Sequence, residues 1–375
     1  MRQFAWFDCV RCVAIFMVMY AHGGDFFQRL PAPIVPAMAA LNSAAWTGVE
    51  LFFVLSGFLV SGLLFFEHDK TGQLNIGRFL IRRAFKIIPP FYFLLIVTIF
   101  VDPFAGRPLK FHHLLHDFFF LDNYRIGTWG HAWTLALEVH FYILLAVLLY
   151  FLSRNAKSGA AWLKALPWIL LGVLVVEFFA RWFNSTLRGE GHHFDVHREI
   201  WPTHLALDVL AAGVLLRYLY NYHLESLALF KRAGIVWFIL GLLLIVPSGY
   251  IWNSPHPALL TAFIPTGCAL GFGLILFQMT QLPFPASGPL LGLVKPFDYL
   301  GKHSYSIYLW HLPVREWMIN PLFPGTRGVE YFAAFFLASL AVGTFFSELL
   351  EMPVLRFRDW LFPSQARARP NAATA

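Results

Sequence analysis

Apolar stretches of about twenty residues, the length that crosses a hydrocarbon core of about 30 Å, recur along the whole chain between short charged segments. The pattern predicts spans near 9–27, 46–66, 87–103, 132–152, 165–183, 203–220, 233–252, 258–280, 299–320 and 330–351. No interval between them is large enough for a soluble domain of about 100 residues. Residues 1–352 are therefore expected to form one membrane-embedded, all-α polytopic domain of about ten transmembrane helices, and 353–375 a polar cytoplasmic tail without fixed structure. Ten crossings put both ends on one side. That side holds 19 of the 28 lysines and arginines, Arg2, Lys157, Arg367 and Arg369 among them, so the positive-inside rule places both termini in the cytoplasm.

Polar residues inside the apolar runs are the candidate chemistry. Arg11 and His22 interrupt the first span, which argues against a cleaved signal peptide ending near Ala37-Met38-Ala39. Eleven helical residues complete nearly three turns, so the two side chains share a face about 16 Å apart, too far to pair and well spaced for a long ligand. An arginine near a helix end also snorkels to the interface, and an interior histidine also bonds a neighbouring helix. An ionisable group at membrane depth with an ordinary pKa near 6.5 nonetheless suits a general base, which makes His22 the first candidate.

Glu50 opens the second span, and Ser56 lies in it beside Gly57, Ser61 and Gly62, small residues that allow close helix packing. Arg78, Arg82, Arg83 and Lys86 make the densest positive stretch, suited either to anionic lipid headgroups or to a phosphate-bearing ligand. Glu138, five residues past Trp133, is expected at the depth of His22, where a carboxylate could orient an imidazole. Glu177, Arg181 and Asp208 are expected to pair among themselves. Tyr305, Tyr308 and His311, three residues apart, form one polar helix stripe and a candidate substrate pocket with Glu50 and Ser56.

Composition agrees with this class: 58% of residues are hydrophobic and 13% charged, against about 25% charged in soluble domains. The net charge of +7 is a topology signal and implies no nucleic-acid partner. Cys9 and Cys12 form a lone C-x-x-C at a membrane mouth, and Cys268 stands alone, so neither redox chemistry nor zinc is expected. Two outer histidine groups, His112, His113, His116 and His131, then His192, His193 and His197, lack acid or thiol partners at ligand spacing. No metal is expected there, and both groups could face an acceptor.

Taken together, these stretches resemble the acyltransferase 3 family of membrane enzymes, from residue 8 to about residue 350. The resemblance is carried by Arg11 and His22 with ten residues between them, by Phe52-Phe53-Val54-Leu55-Ser56-Gly57-Phe58-Leu59, and by the basic stretch ending in Ile88-Pro89-Pro90-Phe91-Tyr92. Trp133 to Glu138 and Ser304-Tyr305-Ser306-Ile307-Tyr308-Leu309 with His311 complete it. Cys12, Lys86 and Val139-His140 stand where the family pattern often has glycine, arginine and Glu-Gln.

The resemblance implies an acyl-CoA-dependent O-acyltransferase with no tightly bound cofactor, embedded in the cytoplasmic membrane among its lipids. Acyl-CoA, acetyl-CoA in the simplest case, is the expected co-substrate. The acceptor would be a hydroxyl of a surface polysaccharide or its lipid-linked precursor, with a macrolide or other secreted small molecule as the alternative. Arg11, Arg78, Arg82, Arg83 and Lys86 would hold the donor, His22 would take the hydroxyl proton, and Glu138 would orient His22 or touch the sugar. A transporter or flippase is the rival of another class, disfavoured by the absence of a visible inverted repeat.

Overall fold

A computed structural model describes residues 4, 6–24, 26–155, 161–189, 194–250 and 257–363. Arg2, Lys157, His192, His193, Arg367, Arg369 and the chain beyond 363 lie outside the described residues. Among those described, every regular element is helical. The main helices in order are α1 (Trp6–His22), α2 (Val35–Ala45), α3 (Gly48–Thr71), α4 (Ile76–Phe104), α5 (Phe111–Phe118), α6 (Trp133–Asn155) and α7 (Ala161–Leu187). They continue as α8 (Leu207–Tyr222), α9 (Gly234–Ile245), α10 (Ala258–Gln281), α11 (Pro289–Lys302), α12 (Ser304–Val314), α13 (Val329–Phe346) and α14 (Met352–Leu361).

Six described helical segments are long and apolar enough to cross a membrane, or seven with the pair Leu224–Arg232 and Gly234–Tyr250, bent by 90° at its break. Long apolar helices satisfy their own backbone, which is the condition for entering lipid, and this set of them is that of a polytopic membrane protein. Large apolar side chains such as Phe100, Trp168, Val176 and Leu243 remain exposed on the outer surface. The interior is where polar groups gather.

Two packings place the interior. Helix α3 lies against α8 with no room for a side chain between backbones: a Cβ on Gly57 would sit 2.1 Å from the Leu210 carbonyl oxygen, and one on Gly213 would sit 2.2 Å from that of Val54. Beside them Arg181 of α7, fully buried, meets Asp208 of α8 at 2.6 Å and Glu177 at 3.8 Å, and also donates to the Leu205 carbonyl at 2.6 Å. Charge pairing of this kind lets three ionisable groups stay out of water. Helix α1 packs on α3, α11 and α12, and α4 packs on α6.

The segment expected to begin a tail without structure is instead helix α14 up to Leu361. Its Asp359 accepts from Arg82 of α4 at 2.8 Å, and Phe357 and Phe362 meet Phe85 at ring separations of 6.4 and 6.0 Å. Arg356, Arg358 and Asp359 give the segment the composition of a tail, yet Asp359 is what bonds it to Arg82 of α4, with Phe357 and Phe362 packed on Phe85.

Candidate active site

A cavity lies between α1, α3, α4, α6 and α12, and its interior and mouth together enclose about 790 Å³ of empty space, open solvent included. Its polar lining includes Arg11, Ser56, Arg83, Lys86, Thr134, Glu138, Tyr142, Ser304, Tyr305 and Tyr308, while Val49, Phe52, Leu59 and Leu135 supply apolar wall. Each polar group arrives from a helix face whose other residues pack inward or toward lipid.

Three hydroxyl and carboxylate groups are bonded at its centre. Ser56 donates to Glu138 Oε1 at 2.5 Å, Tyr142 donates to the same oxygen, and the two hydroxyls are 2.7 Å apart. The Arg83 guanidinium lies 5.9 Å from the Tyr142 ring centre. Arg11 is held by Asp8 at 2.7 Å, and Tyr305 donates to the Ile87 carbonyl at 2.9 Å. One carboxylate, three cations and three tyrosine hydroxyls beside apolar wall suit an elongated ligand with an anionic end.

His22 stands elsewhere, at the far end of α1 from Arg11. Its Nδ1 is 2.9 Å from the Val18 carbonyl, which can only accept, so Nδ1 carries the hydrogen and Nε2 keeps its lone pair. Arg315 donates to the His22 carbonyl at 3.0 Å from a π-helical turn, Arg315–Ile319. The His22 ring is 5.0 Å from that of His311, which is 5.0 Å from His131 and 5.4 Å from Tyr308. Tyr308 donates to the His131 carbonyl at 2.9 Å and shares a hydrogen bond with Thr134 at 2.8 Å. Because Tyr308 also lines the cavity, its ring and the imidazoles join the cavity to His22.

Of the expected site residues, the cavity brings together Arg11, Ser56, Arg83, Lys86, Glu138, Tyr305 and Tyr308. Glu138 does not meet His22: its carboxylate is taken by hydroxyls of α3 and α6, and His22 is oriented by its own helix carbonyl. Glu50 is likewise not in the substrate pocket; it is buried within electrostatic range of Asp208 and Arg181. Arg78 is bonded to Glu67 beside a different surface hollow, and Arg82 is bonded to α14. His311 lies behind the cavity wall, fully buried against His22. His131, expected as a loop histidine, is buried and bonded to the Leu309 carbonyl at 3.1 Å. Among the described residues no group of three or more histidines, cysteines or carboxylates is arranged for a metal ion.

Sequence reasoning missed Tyr142, Thr134 and Arg315. Each carries a legible signal: Tyr142 is four residues beyond Glu138 and Thr134 four before it, one helix face in each case. Arg315 is four residues beyond His311, on that same stripe.

An all-helical membrane protein with an internal cavity of cations, carboxylate and hydroxyls is the class that fold and site define. The chain belongs to the acyltransferase 3 family, whose model, described as an acyltransferase domain, matches residues 4–348. It is similar to O-acetyltransferase OatA of Staphylococcus aureus strain NCTC 8325, at 26% identity over 302 residues, covering 72% of this chain and 46% of that protein. OatA of strain COL gives the same figures. A provisionally named O-acetyltransferase of strain COL is 26% identical over 307 residues with the same coverage. The chain thus spans less than half the length of these relatives. No solved structure gives a significant match.

Proposed function

We propose that the chain is an integral O-acyltransferase of the cytoplasmic membrane, crossing it ten times with both termini in the cytoplasm. It moves an acyl group, acetyl in the simplest case, from cytoplasmic acyl-CoA to a hydroxyl of a surface polysaccharide or its lipid-linked precursor. The observation that carries this reading is the cavity in which Arg11, Arg83 and Lys86 converge beside the hydroxyl-bound Glu138. Cations receive the phosphates and amide-rich arm of the donor, and apolar wall receives its methylenes. The names of the OatA relatives support acetyl transfer to oxygen.

In this reading the thioester end of the donor points to Tyr308, and the rings of Tyr308 and His311, which stand between the cavity and His22, turn aside for the acyl carbon to reach it. His22 Nε2 takes the proton of the acceptor hydroxyl as that oxygen bonds to the acyl carbon. The C–S bond breaks, and the proton passes to the departing thiolate to give free CoA. Glu138 holds Ser56 and Tyr142 in place at the donor and can contact the ligand.

The test is acceptor-dependent release of CoA by the purified chain in nanodiscs, using acetyl-CoA and the de-O-acetylated surface glycan of the host. Free CoA appearing only with acceptor, together with ester on the glycan, supports the reading. Glycan movement across a vesicle membrane without CoA consumption would replace it with a transporter.

A further inference from the structure

His22 is the last residue of α1, which closes with the Gly23 N–H donating to the Tyr20 carbonyl at 3.2 Å and with Gly24 at φ +77°. Carbonyls in the last turn of a helix find no N–H within that helix, and helix ends fray there. The bond that aims the imidazole, from Nδ1–H to the Val18 carbonyl one turn back, lasts only while residue 22 stays helical. The proposed base therefore stands where its own helix holds it least.

Arg315 supplies the hold. Its Nη1 donates to the His22 carbonyl at 3.0 Å and puts a cation at the negative end of α1. Its Nε and Nη2 donate to Glu316 Oε1 at 3.0 and 2.8 Å. Glu316 Oε2 accepts from Asn320 at 2.9 Å, and Asn320 accepts from Tyr331 of α13 at 2.8 Å, so the carboxylate that steers the guanidinium is itself braced. The turn Arg315–Ile319 is π-helical, and from it Trp317 also reaches Asp102 of α4 at 2.7 Å. This turn directly continues α12, which carries Tyr308 and His311. The end of α1 is thus clamped to the helix whose His311 ring faces His22.

We propose that Arg315, braced by Glu316, is a positioning residue for His22: it touches no reacting atom, and by holding the carbonyl at the end of α1 it keeps the imidazole in register with α12. The assignment rests on His22 being the base, as proposed above.

Acceptor-dependent CoA release is measured on the full chain in nanodiscs, for Arg315→Met alone and combined with His22→Ala. Arg315→Met should lower kcat about tenfold to a hundredfold, the scale of a base displaced by about 1 Å, and leave the KM for acetyl-CoA unchanged. Arg315→Lys keeps a cation but cannot serve the carbonyl and Glu316 together, so its kcat should fall between; it is read in place of Arg315→Met if that chain does not fold. On a His22→Ala chain neither substitution should lower the residual rate further, because a misplaced base and an absent one act on the same step. A merely structural arginine predicts the same fold-loss in both backgrounds, or fewer folded molecules each with wild-type kcat, and either result would overturn the assignment. So would wild-type kcat in both Arg315 variants. Near-normal turnover of His22→Ala would remove the base and this assignment with it, whereas an impaired His22→Ala beside fully active Arg315 variants removes this assignment alone.

Discussion

At the scale of single residues, the account turns on what His22 and Arg83 each contribute. His22→Ala is expected to lower acceptor-dependent CoA release by about a hundredfold or more, the scale of general-base assistance, while the protein stays folded and binds donor normally. No buried charge is left unpaired by that change, since the nearest groups are a backbone carbonyl and another imidazole. Near-normal turnover of purified His22→Ala would end its role as base. Arg83→Gln is expected to raise the KM for acyl-CoA and to raise it less for an acyl-pantetheine, because only the former carries the phosphates. Equal effects on both donors would return Arg83 to a structural role beside Tyr142. The stripe that joins Arg11 and His22 was legible from sequence because helical periodicity within one element fixes it. The partner of Glu138 was not: Ser56 lies 82 positions away, and which of several polar groups at similar depth will meet is decided by helix docking, not by spacing.

Single elements show the same division. Each expected span falls largely on helix, since an apolar run of membrane length has few other options in lipid. Helix α14 was not legible, because Arg356, Arg358 and Asp359 lower its hydropathy and its order comes from α4. The α3–α8 contact predicts that Gly57→Val, which forces a side chain against the Leu210 carbonyl, costs about 1–3 kcal/mol of stability. Thermal unfolding in detergent checks this, and an unchanged midpoint would contradict the close packing. The loop after α5 makes a pH prediction. Asp117 and Asp122 are both buried, and a Cβ on Gly127 would lie 1.8 Å from an Asp122 oxygen and 2.5 Å from an Asp117 oxygen, so the carboxyls converge there. Burial, then a hydrogen bond and the charge of Asp117, push the Asp122 carboxyl from 3.8 up to about 9. Folded loop thus holds a proton that the unfolded loop releases, and its stability is full below pH 3.8 and falls as pH rises toward about 9. Hydrogen-exchange protection of residues 117–128 should drop between pH 5 and pH 9, and Asp122→Asn should flatten the change. Protection that rises with pH would contradict the shared proton.

For the whole molecule, the central claim is that donor and acceptor are served from opposite sides of one membrane. Arg11 and the cations of α4 lie at one end of the polar line, and His22, about 16 Å along α1, lies at the other. In the proposed topology, with both termini in the cytoplasm, that line runs outward from Arg11 to His22. Proteoliposomes of known orientation, with labelled acetyl-CoA confined to the cytoplasmic face and the de-O-acetylated glycan confined to the other, test it most directly. The account predicts label on the glycan across the sealed membrane, lost with His22→Ala. Label appearing only when glycan is held on the same face as acetyl-CoA would contradict it.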